Sequence, residues 1–446
     1  MNLKSLLLTS LVAGAAVGDS SSNVPSSCTI KPNTTATQQS DLDKYSGCET
    51  VVGNLTVSGS EIQTGALNGV KNLEGSLTIY NASNLVQFNA DNLQNISHSL
   101  NLQLSTSLET ASFNGLEEVD TIKMVALPKL RDFETNVKKA NVVYISDTSL
   151  KTVHAFEELQ KVRSFNLNNN KDLGNLESAL ESVEDGLEFS ANGQDANVTF
   201  NDLKWANNIT LRDVHRASFV SLKEVNSSLG FINNTIDSLN LSNLTSVGGS
   251  LSFVSNPNLT NINATNLQEV GGGFVIANNT RLFKVGGFPK LSKVGGAVSV
   301  VGNFSYLDLD SLNSVKGGGD FETHSGNFSC SSLKSLQSKG GIKGDSFICK
   351  NGAQSTSIKM SSKSSSGGKS SSKTESKSKS GDKSNKDKNS SDKFTRSASG
   401  SQSGGDSGSK STASNDGDQS KGMAAAQFAP AGSLTGALAV LAAFFL

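Results

Sequence analysis

Two apolar residues flanking one variable residue recur thirteen times between residues 48 and 350, and this recurrence restricts the fold more than any other feature. The pairs are Leu55/Val57, Leu77/Ile79, Leu100/Leu102, Ile122/Met124, Val143/Ile145, Phe165/Leu167, Leu187/Phe189, Ile209/Leu211, Leu229/Phe231, Leu251/Phe253, Phe274/Ile276, Val298/Val300 and Phe321/Thr323. Successive copies are 20 to 24 residues apart. An i, i+2 apolar pair belongs to a strand with one buried face. A strand repeated at that period predicts a solenoid, because one coil cannot bury its own apolar side and must stack on a neighbour.

Two further pairs keep the same phase. Leu85/Phe88, Leu130/Phe133, Leu259/Ile262 and Leu282/Val285 follow the strand; Leu116/Val119, Leu159/Val162, Leu222/Val225, Leu244/Val247, Leu267/Val270 and Leu291/Val294 come next. Three inward clusters per copy predict a three-sided coil. At about 4.8 Å per stacked strand, thirteen rungs extend roughly 60 Å. Glycines after Val247, Val270 and Val294, and after Lys316, precede strands and are expected at corners, where a positive φ suits glycine. A phosphate-cradling loop does not fit them: they recur once per rung, lack a Lys-Ser/Thr pair and precede no helix.

The four cysteines lie only at the ends of the array, Cys28 and Cys48 before it, Cys330 and Cys349 after it. Four cysteines allow three connectivities. The length of the array separates the two pairs, so Cys28–Cys48 and Cys330–Cys349 are expected, each stapling a flap over an open solenoid end. Each bond closes a loop of about 20 residues, worth ~3 kcal/mol in the loop-entropy account.

The two ends of the chain carry different signals. Lys4 and the apolar run Leu6 to Val17, closing on Ala16 and Gly18, predict a signal peptide over 1–18. Residues 19–353 are then the solenoid with its caps. Residues 354–421 hold 25 Ser, 4 Thr and 13 Lys+Arg with few large apolar side chains, which predicts a disordered, O-glycosylated stalk. Small residues at 422–424, a short spacer and the apolar run Leu434 to Leu446 match a GPI attachment signal over 422–446, with Gly422 as attachment residue, Asn415 as fallback and 423–446 removed. The expected location is extracellular, on the outer leaflet of the plasma membrane through the GPI lipid, in the cell wall, or both. Lys+Arg is 39 against Asp+Glu 40, a balance that excludes a nucleic-acid partner for the whole chain.

The runs Cys48-Glu-Thr-Val-Val-Gly-Asn-Leu-Thr-Val57 and Leu73-Glu-Gly-Ser-Leu-Thr-Ile79 resemble the receptor L domain. In its four-part order the chain is similar to fungal GPI-anchored cell-wall proteins of the sporulation-specific/extracellular-mutant type. That resemblance implies an all-β fold, a right-handed β-helix related to leucine-rich repeats, and a structural role in wall assembly and integrity. It implies wall glucan or other wall components as partners. It supplies no catalytic residues, metal or cofactor.

An enzyme acting on wall glycans needs paired carboxylates on adjacent rungs. Asp308 and Asp310, which share a face if extended, and His324 one rung on are the nearest candidates, with a strand-capping turn as the plainer reading. His215 beside Arg212 and Asp213 reads as a solvated loop. Trp205 is the single Trp, and Tyr45, Tyr80, Tyr144 and Tyr306 are scattered, so no stacking platform is evident.

Sixteen Asn-x-Ser/Thr sequons mark N-glycosylation: Asn33, Asn54, Asn81, Asn95, Asn197, Asn208, Asn226, Asn233, Asn240, Asn243, Asn258, Asn263, Asn278, Asn303, Asn327 and Asn389. Eleven lie between 197 and 327, and none between 96 and 196. The bare stretch is rich in charge, from Glu117 to Lys139 and from Glu177 to Glu188. Either rungs three to seven are an ordinary solvated surface, or they stay bare for a protein partner while the C-terminal half is sheathed in glycan. The alternative to a structural role is thus a non-catalytic binding module for a wall polysaccharide or protein.

Overall fold

The computed structural model describes residues 24–354. The expected signal peptide, the stalk beyond Gln354 and the attachment segment, with Asn389, Asn415 and Gly422, lie outside the described residues. The described chain is a parallel β-solenoid of about 13 turns. Leu55 lies opposite Leu77, Leu77 opposite Leu100, and the register runs on through Ile122, Val143, Phe165, Leu187, Ile209, Leu229, Leu251, Phe274 and Val298. Both members of each of these pairs are buried.

The last copy sits two residues earlier than the sequence pattern suggests. Val298 pairs with Gly319 and Val300 with Phe321. A Cβ on Gly319 would stand 2.8 Å from the Phe321 ring, so the ring fills the space left by the missing side chain. Thr323, assigned to the pair from sequence, is buried instead at the strand end, where its hydroxyl donates to the Phe304 carbonyl.

The third apolar cluster is not a separate sheet. Its strands join the same 23-stranded sheet as the main ladder. In Asn95–Gln103, Glu118–Leu127, Lys161–Asn168 and Ser182–Ser190 one strand runs through both, with a register shift after Val119 and after Val162. A bulge bends a strand without ending its pairing, so the corner is turned inside the sheet. The Leu-x-x-Phe cluster forms the opposite side from short sheets, one of which contains the strands Gln87–Asn89, Thr110–Phe113 and Asp132–Thr135. Phenylalanines stack between the sides, Phe231 on Phe253 and Phe200 on Phe219, each at 5.5 Å between centroids.

The corner glycines are required for a different reason from the expected one. None of Gly248, Gly271 and Gly295 has a positive φ. A Cβ on Gly271 would lie 2.1 Å from the Gly248 carbonyl oxygen, and one on Gly295 would lie 2.0 Å from that of Gly271. Backbone stacks directly on backbone there, and no side chain fits. Gly271→Ala is therefore expected to cost about 2 kcal/mol or more through forced displacement, whereas Gly302→Ala, with nothing within 4 Å, leaves the thermal melt unchanged.

Left-handed residues occupy the other corner, once per rung: Asn81, Leu104, Ala126, Asp147, Asn169, Ala191, Asp213, Asn233, Ser255 and Asn278, with φ between 50° and 58°. Asn and Asp tolerate this conformation, whereas Leu104, Ala126, Ala191 and Ser255 are each held there at a cost of about 1–2 kcal/mol. An inward residue follows at once, and in five rungs it is a buried asparagine: Asn170, Asn192, Asn234, Asn256 and Asn279. Asn234 donates from both its backbone N–H and its Nδ2 to Asn256 Oδ1, each at 3.0 Å. Asn256 repeats the pattern onto Asn279 at 2.9 and 3.1 Å, and its Nδ2 also reaches the Phe231 carbonyl at 3.0 Å. This internal amide ladder satisfies corner groups that water cannot reach.

Both ends are covered. Cys28–Cys48 and Cys330–Cys349 are disulfides with Cα separations of 5.7 and 6.0 Å. The first flap carries the helix Gln39–Asp43 and seats Leu42 and Tyr45 on the core; the second carries the helix Ser331–Ser338 and seats Phe328, Leu333 and Ile342.

Candidate functional surface

Fifteen of the sequon asparagines fall within the described residues, and none of them is buried. They occupy different stations on the coil. Asn81, Asn233 and Asn278 are left-handed corner residues. Asn197, Asn240 and Asn263 lie on second-side strands, and Asn54 and Asn208 immediately precede main strands. In Asn233-Asn234 and Asn278-Asn279 the sequon residue is exposed while its neighbour enters the internal ladder. Two adjacent asparagines thus have opposite fates, set by a half-turn of backbone.

The charges of rungs three to seven form pairs between neighbouring rungs. Lys138 meets Glu117 at 3.0 Å, Lys139 meets Glu118, Arg163 meets Asp185 at 2.8 Å and Lys204 meets Glu181 at 3.0 Å. The side-chain hydrogen bond to Glu117 raises the Lys138 pKa. Such exposed pairs are screened by solvent and add little to stability. The outer row of the main sheet runs in strict register from Thr78 on rung two through Asn101, Lys123, Tyr144, Asn166 and Glu188 on rungs three to seven. Asn101 Nδ2 donates to Thr78 Oγ1 at 3.4 Å and Asn166 Nδ2 to Glu188 Oε2 at 2.9 Å, so part of the row is tied together between rungs.

A second polar cluster lies on the opposite side. Burial works to raise the Asp91 pKa, but hydrogen bonds from Ser112 Oγ at 2.6 Å, the Asn114 N–H at 2.9 Å and Asn89 Nδ2 at 2.7 Å outweigh it and hold the carboxyl below its usual range. A depressed carboxyl stabilises the fold above its unfolded pKa and loses that contribution as pH falls through the folded value. Asp91→Asn is therefore expected to lower the melting temperature at pH 7 and to narrow its gap from wild type on acidification below pH ~4, read from melts across pH.

The carboxylates weighed for catalysis lie in a turn. Asp308 follows the short strand Tyr306–Leu307, and its Oδ1 accepts the Asp310 N–H at 3.3 Å, so the two are not presented on one extended face. His324 Nδ1 lies 2.7 Å from the Ala353 carbonyl, within the C-terminal flap. Trp205 is half-buried on a main-sheet strand opposite Glu224. Tyr306 stands half exposed beside Lys284 on the adjacent rung. Among the described residues no group of three His, Cys, Asp or Glu side chains is placed to hold a metal, and no helix is long and apolar enough to cross a membrane.

Sequence comparison adds relatives to this geometry. No family model matches the chain. It is 56% identical over 326 residues to the cell wall mannoprotein PST1 of Saccharomyces cerevisiae, covering 73% of this chain and 73% of the relative. It is 34% identical over 367 residues to the cell surface GPI-anchored protein ECM33 of Candida albicans, covering 82% and 87%. It is 34% identical over 329 residues to sporulation-specific protein 2 of S. cerevisiae, covering 72% and 65%. None of these three carries an enzyme's name.

Proposed function

This chain belongs to the fungal family of cell wall mannoproteins and GPI-anchored cell surface proteins, and from that membership we propose that its solenoid is a rigid display element of the wall. Its role is structural, in wall assembly and integrity. The observation that carries this reading is the uninterrupted parallel ladder from Leu55 to Phe321, covered at each end by a disulfide-bonded flap. A rod without an open end resists proteolysis and self-association, which is what a permanent extracellular scaffold requires. In this reading the signal peptide sends the chain to the surface, Gly422 receives the GPI lipid, and the serine-rich segment spaces the rod from the membrane.

The test replaces the native chain with versions lacking whole rungs while both flaps and the C-terminal region are kept. A structural element loses wall integrity in proportion to the rungs removed, read as sensitivity to wall-binding dyes. Full resistance with only a few rungs would overturn the scaffold.

The in-register polar row on rungs three to seven favours a second reading, a binding face for a wall polysaccharide or a protein partner. Retention of the secreted glycoprotein on β-glucan, chitin or mannan, surviving high salt and lost in Tyr144→Ala with Asn166→Ala, would support a glycan ligand. Retention unaffected by these changes would remove the row from consideration.

A further inference from the structure

One rung is built short. The corner from the left-handed residue to the second-side strand runs from Ala191 to Val198 on rung seven and from Ser255 to Ile262 on rung ten. On rung eight it runs only from Asp213 to Ala217, although Ala217 lies directly opposite Val198. Three residues present on rung seven are missing, and the shortened corner carries no counterpart of Leu173 or Leu259. The amide ladder breaks at the same place: Val214 stands where Asn192 and Asn234 stand on the flanking rungs, and it offers only its backbone N–H, to Asn234 Oδ1 at 2.9 Å.

The shortening leaves a cleft of about 650 Å³ across rungs seven to ten, a volume within the range of small-ligand sites. Its lining includes Gln194, Asp195, Asp213, His215, Asn233 and Asn258. That mixture of carboxylates, amides and an imidazole suits a hydroxyl-rich ligand better than an apolar one.

We propose that this cleft seats the chain's own N-linked glycan, attached at Asn233. The sequon Asn233-Asn234-Thr235 places its acceptor side chain in the cleft lining, with Nδ2 donating to Asp213 Oδ1 at 2.6 Å. A glycosylated amide nitrogen keeps one N–H, and in this seat that N–H holds the bond to Asp213 while the first sugar lies over rung eight beside His215. His215 Nδ1 lies 3.3 Å from Thr235 Oγ1; its other ring nitrogen and the Gln194 amide bond the sugar hydroxyls. Covalent tethering gives the sugar an effective concentration that a free polysaccharide does not match, so the attached glycan occupies the cleft in preference to a wall polymer. The glycan thereby fills a notch that the sequence leaves in the corner.

This inference rests on the secretory reading above, and its test separates the two. The glycoprotein purified from a yeast host is digested natively with endoglycosidase H, and release at each site is followed by mass spectrometry. Since native-state cleavage tracks the open population, release at Asn233 is expected to be about tenfold slower than at Asn226 and Asn243, which do not line the cleft. The three rates converge once the chain is denatured. Asp213→Asn, and separately Gln194→Ala at the cleft edge, should accelerate release at Asn233 alone, with an unchanged circular dichroism melt. Occupancy at Asn226 with none at Asn233, or equal native release at both, overturns the seat and leaves secretion standing. Absence of glycan from every sequon overturns both.

Discussion

Asn256→Ala lowers the unfolding free energy by about 3 kcal/mol, whereas removing the half-buried sequon amide two residues on, in Asn258→Ala, costs less than about 1 kcal/mol. The asymmetry follows from what each amide leaves behind. Without the Asn256 amide, the backbone N–H and Nδ2 of buried Asn234 both lose their acceptor Oδ1, and the Phe231 carbonyl loses its Nδ2 donor. Asn258 Nδ2 donates only a 3.3 Å bond to the Thr235 carbonyl at the surface, where water substitutes for it. Asn256→Asp tests the direction of the ladder, since its carboxylate keeps the acceptor and loses the donor to Phe231. With its second oxygen against the Phe231 carbonyl and Asn279 Oδ1 and no proton to donate, the buried carboxylate should cost at least as much as the alanine at high pH, and less once it is protonated. Urea denaturation of the glycoprotein, with hydrogen exchange at Asn234 and Asn279, distinguishes loss of one rung from loss of the whole array. In a stacked repeat the neighbouring rungs carry the damage first. Equal stability of Asn256→Ala and Asn258→Ala would show that the ladder contributes nothing.

That ladder marks the boundary of what the sequence made legible. The pairs from Leu55/Val57 to Val298/Val300 were readable because side-chain alternation in a strand leaves a period-two signature whatever the neighbours are. The final pair was misplaced because Gly319 carries no side chain, and the apolar pattern slid onto Phe321. Buried asparagines were invisible for a related reason: polarity alone assigns Asn to the surface, and only the register reveals that Asn170, Asn192, Asn234, Asn256 and Asn279 share one inward column. The doublets Asn169-Asn170, Asn233-Asn234 and Asn278-Asn279, in phase with the rungs, were the available signal. The positions of the corner glycines are legible in the sequence, but the reason for them is not. Proximity between rungs is a tertiary property, and φ is the only local property from which a sequence argument can start. The short corner at Asp213–Ala217 was present as the smallest step in the series, 20 residues from Ile209 to Leu229, but its consequence appears only where neighbouring corners are longer.

The second large effect belongs to the C-terminal flap. Cys330→Ala with Cys349→Ala is expected to cost about 3 kcal/mol by releasing a loop constraint, and to change association as well as stability. The disulfide joins the residue preceding the helix Ser331–Ser338 to the strand Phe347–Lys350, whose Phe347, Ile348 and Cys349 pair with Gly319, Asp320 and Phe321. That strand is the last one stacked on the ladder, so detaching the flap exposes both the Gly319–Thr323 strand edge and the seat of Phe328, Leu333 and Ile342. A long unpaired parallel edge beside apolar core is a template for another chain. The variant should therefore elute as dimers or larger species in proportion to its concentration, while wild type does not. Cys28→Ala with Cys48→Ala removes a bond of similar span at the other end, where the strand Thr35–Ala36 pairs with only Thr56 and Val57. A smaller exposed edge there predicts a comparable loss of stability with weaker self-association. Equal elution of both variants as monomers would mean that the flaps stabilise the solenoid without sealing its ends.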